Sequence, residues 1–177
     1  MNKYFVFLFT FMLTFFSLSF SSNADSTSDD IELYYYDIGY KDVANAIIDG
    51  QKHFKKQISL PSKLPEVTFT HAFGRMNDLE GDESDELEFT FLHEDKAQNH
   101  FKILIKPVKY QLPFEEKHIK QKIKLNNGDE AIYSKRFTGF DTIAFEKNGF
   151  QYLLSMDEDC GKKMSVEALL DIANSIK

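Results

Sequence analysis

The sequence predicts an α+β fold: a large antiparallel sheet of about seven strands, packed by an N-terminal and a C-terminal helix. Three observations lead to it. Alternating apolar and polar residues recur in short segments from Val67 to Met156. Gly- and Asn-bearing turns punctuate the last of these segments. A segment of helical spacing stands at each end of the series.

The stretch Ile119 to Met156 reads as a four-strand meander. Ile119, Ile123 and Leu125 point one way, and Lys120, Lys122 and Lys124 the other. Asn126-Asn127-Gly128-Asp129 supplies a turn, because Asn and Gly tolerate the positive φ that tight hairpins need. Ala131 to Phe137 returns, Thr138-Gly139 turns again, and Phe140 to Phe145 follows. Asn148-Gly149 is the strongest hairpin signal, and Phe150, Tyr152, Leu154 and Met156 share one face of the last strand. A sheet with one apolar face must bury it. The C-terminal segment meets that need. Ser165 is an N-cap and Glu167 suits the positive end of the helix dipole. Val166, Leu169, Leu170, Ala173 and Ile176 form an apolar stripe.

Upstream, Ile38, Val43, Ala44, Ile47, Ile48 and Phe54 predict an amphipathic helix between Asp37 and about Gln57, weakened at Gly50. Pro61 and Pro65 impose extended backbone. Val67, Phe69, His71 and Phe73 predict a strand, Arg75 to Glu86 a loop, and Leu87, Phe89 and Phe91 a second strand. Phe101, Ile103 and Ile105 predict a third strand, ended by Pro107, and residues 108–117 a linker.

The N-terminus has a different logic. Lys3 precedes an apolar run from Tyr4 to Phe20, and Ser22-Asn23-Ala24 places small residues where a signal peptidase reads them. The expected organisation is a signal peptide over 1–24 cut between Ala24 and Asp25, a flexible lead over 25–36, and one domain over 37–177. The expected location is extracytoplasmic, with no stable membrane span after cleavage. The chain carries a formal charge of −7, and losing Lys3 makes the remainder more acidic. That charge opposes nucleic-acid binding.

No catalytic motif emerges: there is no Gly-x-Ser-x-Gly elbow, no phosphate-binding Gly loop and no His-x-x-x-His pair. The acidic loop Asp78 to Glu86 offers carboxylates to Ca²⁺. EF-hand spacing fails there, since Gly81 at the sixth position puts Met76 first and Leu87 twelfth. His71 and His93, on neighbouring strands, are the one histidine pair whose geometry matters. Cys160 is the only cysteine, so no internal disulfide forms. His118, Lys120, Lys122 and Lys124 make a basic stripe suited to an anionic polymer, or simply to solvent on an edge strand. No cofactor and no metal is predicted.

Several segments carry a resemblance. These are Gly128-Asp129-Glu130-Ala131, the run Phe145-Glu146-Lys147-Asn148-Gly149-Phe150-Gln151-Tyr152, the run from Glu167 to Ile176, and Ile58 to Pro65. They resemble an uncharacterised domain family of exported and membrane-anchored proteins of Gram-positive spore-formers. That family also forms the outer domain of some anti-sigma-factor-like membrane proteins. It usually places Trp before the Glu of the middle motif; here Phe145 stands there and the chain has no Trp. The resemblance spans most of 37–177 and implies an extracytoplasmic, non-catalytic α+β domain with no assigned catalytic residues.

The leading expectation is therefore a secreted or envelope-located interaction module with an envelope protein as partner. The alternatives are a secreted hydrolase using His71, His93 and a loop acid, and a binder of anionic wall polymer through the lysine stripe.

Overall fold

A computed structural model of the chain describes residues 28–160 and 165–177. The segment read as a signal peptide, with its Ala24–Asp25 junction, lies outside the described residues. Three helices and seven strands follow in the order α1 (Ser28–Asp37), α2 (Val43–Phe54), β1 (His71–Asn77), β2 (Glu86–Leu92), β3 (His100–Pro107), β4 (Ile119–Lys124), β5 (Glu130–Ser134), β6 (Phe140–Lys147), β7 (Phe150–Asp157) and α3 (Val166–Asn174). No helix among the described residues is long and apolar enough to cross a membrane.

The strands form one antiparallel sheet in the order β1-β2-β3-β7-β6-β5-β4. The predicted C-terminal meander is present. Its hairpin between β6 and β7 turns at Asn148 and Gly149, with φ of 51° and 76°, so both turn residues adopt the left-handed conformation the motif demands. β7, last in the sheet's sequence, pairs with β3. The connection between β3 and β4 must therefore cross three strands to reach the far edge.

One sheet face is buried under α2 and α3. Phe89, Phe101, Ile103, Ile105, Ile143, Tyr152, Leu154 and Met156 meet Ala46, Leu169, Ile172 and Ala173 there. Asp42 caps α2 by accepting from Asn45 N at 2.9 Å, and Ser165 caps α3 by accepting from Ala168 N at 3.3 Å.

Three expectations need correction. The lead over 25–36 is helical from Ser28 onward. Asp29 and Asp30 favour the start of that helix, and Tyr35 docks it by stacking on Phe73 at 4.4 Å and 7°. The strand predicted over Val67–Phe73 begins only at His71 and runs into the predicted loop as far as Asn77. Phe69 packs toward the helix-covered core beside Phe91, while Phe73 serves the opposite face beneath Tyr35. In β4, a bulge between Ile119 and Gln121 breaks the strict alternation. Ile119 pairs with Ser134, Ile123 with core Ala131, and Lys122 with Ile132, so Ile119 shares the face of Lys122 rather than that of Ile123.

Candidate functional site

The second sheet face carries no α2 or α3, and the strand registers define it row by row. One row runs Arg75–Glu88–Leu104–Leu153–Ala144–Ile132–Lys122 across all seven strands: an apolar floor with charged ends. The next runs Phe73–Thr90–Lys102–Ser155–Thr142–Ser134–Ile119 and is polar at its centre, where the Thr142 and Ser155 hydroxyls lie 2.8 Å apart. On the other side of the floor, Lys106 pairs with Gln151, and Gln151 with Glu146.

The β3–β4 connection straps over this face. The Gln151 side chain donates to Leu112 O and accepts from Leu112 N. Arg136, just after β5, donates to the Pro113 carbonyl and places its guanidinium over both Phe114 and Phe137. This clasp joins the strap to the β5–β6 loop. Beside Phe137 and Phe140 lies a cavity of about 270 Å³ over Leu104 and Leu153, bordered by Glu86, Glu88 and Lys102. Beside Phe114 lies a wider one of about 560 Å³ over Ile132 and Ala144, bordered by Asp129, Glu130 and Glu146. The smaller concavity is mainly apolar with a few charged groups at its border, as binding pockets usually are, whereas the wider one is lined mostly by polar and charged side chains.

At the β1 end, Glu88 is clamped by Arg75 at 3.3 Å and Lys102 at 3.4 Å. Arg75 stacks on Tyr40 at 4.3 Å. Burial, reinforced by Glu88, raises the Tyr35 and Tyr40 hydroxyl pKa values. Burial lowers His100, with Lys102 adding to the effect; its Nε2 lies 3.0 Å from Thr90 Oγ1. Tyr133 is pushed up to about 12 by burial and by its hydrogen bond to Asp141.

Helix α1 adjoins this face. Tyr35 points in, whereas Leu33, Tyr34 and Tyr36 are exposed, with Ile38 just beyond the helix. They make up four of the seven exposed large apolar side chains among the described residues, so the exposed apolar surface is concentrated here.

The residues singled out in the sequence are scattered. Lys120, Lys122 and Lys124 are exposed on edge strand β4, but Lys122 lies 3.6 Å from Glu116 and Lys124 pairs across from Glu130. His118 is half-buried, and its carbonyl accepts from Ser134 Oγ. His71 is buried, stacks on Phe73, and its Nδ1 is 2.7 Å from Thr70 Oγ1; His93 Nδ1 accepts from Asp95 N. Neither belongs to a convergent group of metal-ligating side chains among the described residues. Cys160 is half-buried against the core, 3.8 Å from Asn99 Oδ1.

One cluster escaped the sequence reading: His53 meets Asp85 and Asp78 of the acidic loop. The loop's acids were visible, but nothing local announces that a helix end 32 residues earlier supplies the imidazole.

Comparison with protein-family models, with curated proteins and with solved structures gave no match to this chain.

Proposed function

We propose that this chain is an exported, non-catalytic interaction module that holds an envelope protein on α1 and the adjoining helix-free sheet face. The carrying observation is the concentration of exposed Leu33, Tyr34 and Tyr36 along one short helix, with exposed Ile38 just after it. Tyrosine gives large, rigid, amphipathic contact area at low entropic cost and is enriched at the centres of interfaces. The strap, the clasp and the two cavities extend that surface with shape and polar definition. Export rests on the pattern from Lys3 to Ala24, and the resemblance to an extracytoplasmic domain family agrees with it. Binding of an anionic wall polymer is the weaker reading, because Glu116 and Glu130 lie beside the lysines and the whole chain is acidic.

The test is a paired substitution, Tyr34→Asp with Tyr36→Asp, in a tagged copy expressed in its own cells. Both positions are exposed and the Tyr35–Phe73 stack stays in place, with Tyr36 losing only an edge contact to Phe73, so the fold should survive. The expected result is loss of envelope retention with unchanged circular dichroism. Retention unaltered by the pair, but abolished by high salt, would transfer the role to the lysines.

A further inference from the structure

We propose that His53, Asp78 and Asp85 form a site for a divalent transition-metal ion of the zinc class, with His53 Nδ1 and the Asp78 carboxylate as ligands and Asp85 as the group that orients the ring. The site stands apart from the interaction surface and does not depend on it.

Asp85 anchors the site. Its side chain is 6% exposed; Oδ1 accepts from Leu79 N at 3.1 Å and Oδ2 lies 2.7 Å from His53 Nε2. An ionised carboxylate only accepts, so Nε2 carries the proton in that contact. In the neutral ring this leaves the lone pair on Nδ1. Nδ1 faces Asp78 Oδ2 at 3.8 Å, beyond hydrogen-bonding length. Two electron-rich atoms thus confront one another across a gap. A cation at about 2.0–2.2 Å from each bridges that distance at an open angle. The chain carboxylate–imidazole–cation is the usual way a protein fixes the tautomer of a ligating histidine.

The setting agrees. His53 lies in the last turn of α2, where the helix dipole favours positive charge. Its ring sits edge-on to Phe54 at 5.0 Å, which restricts rotation. Asp78 is 72% exposed, so it can close on the ion while water completes the shell. One imidazole nitrogen with a carboxylate oxygen selects a zinc-class ion over calcium, which takes an all-oxygen shell. The competing occupant is a proton, giving an imidazolium held between both carboxylates.

The test is titration of the full chain with zinc chloride at neutral pH, followed by calorimetry and by the ¹⁵N shifts of the His53 ring. The expected result is one equivalent bound, with the shift change on Nδ1 and Nε2 still protonated. Asp78→Asn, at an exposed position that the fold tolerates, should weaken binding about tenfold or more. Asp85→Asn should weaken it by about 10–100-fold and scramble the tautomer, with Asp85→Glu restoring part of both. Absence of binding, equal affinity in Asp78→Asn, a shift on Nε2 instead, or calcium bound as tightly as zinc would each overturn the assignment.

Discussion

The Gln151 side chain and the Leu112 backbone hold each other through two hydrogen bonds, Nε2 to O at 3.0 Å and N to Oε1 at 2.8 Å. A buried side chain of the central strand β7 thereby acts as a strand partner for the strap. Gln151→Ala removes both bonds and leaves a backbone donor and acceptor without them. Destabilisation of about 2 kcal/mol is expected in urea unfolding. Strap amides should lose exchange protection first. Gln151→Glu keeps the acceptor but sets a buried carboxylate against the Leu112 carbonyl and across from Glu146, and should destabilise at least as much as Gln151→Ala.

Gly74 of β1 records how closely α2 crosses the sheet. A Cβ there would lie 2.5 Å from Ala46 Cβ and 2.8 Å from the Phe89 ring. Neither neighbour is the tip of a flexible chain. Gly74→Ala is predicted to cost about 1–3 kcal/mol through overpacking, despite the lower conformational freedom of alanine in the unfolded chain. Chemical denaturation checks it, and a neutral or stabilising result would contradict the packing described.

Helix α1 is docked chiefly through Tyr35, which stacks on Phe73 and meets Tyr40 edge-on, with Tyr36 adding an edge contact to Phe73. Tyr35→Ala removes the Phe73 contact at 4.4 Å and part of the cover over Thr90 and Glu88. A loss on the order of 2 kcal/mol is expected. Hydrogen exchange should show α1 opening while β3 and β7 stay protected.

The His100 shift gives a pH dependence. Burial, with Lys102, lowers its pKa below the ordinary histidine value of 6.5, so the unfolded chain binds the proton more readily than the folded one. Its contribution to stability is therefore complete above pH 6.5 and is lost as pH falls toward the folded-state value. A thermal midpoint that drops below pH 6.5 in wild type, and drops less in His100→Gln, is the expected outcome.

Much of this fold was legible because β2 and β3 alternate apolar and polar residues and the turns of the β4–β7 meander carry the Gly and Asn that positive φ requires. Three features were hidden, each for a physical reason. The bulge at Lys120 leaves the sequence alternation intact while changing which face each residue takes. Helix α1 is written in a polar, acidic segment whose stability comes from a tertiary stack with Phe73, not from its own periodicity. Arg136 belongs to no motif, yet it joins Pro113, Phe114 and Phe137 over the sheet. The lysine stripe was visible as a pattern, but its counter-charges, Glu116 and Glu130, come from flanking chain. Contacts distant in sequence decide the surface, while local patterns decide the strands.

The central claim is that α1 and the helix-free face together meet a protein partner. The most direct measurement is site-specific photo-crosslinking on intact producing cells, with the reactive residue at Tyr34, at Ile132 on the sheet face, or at Lys52 on the solvent side of α2. One shared protein adduct from Tyr34 and Ile132, identified by mass spectrometry, and none from Lys52, is the expected result. An adduct from Lys52 alone, or equal labelling from all three positions, would contradict it.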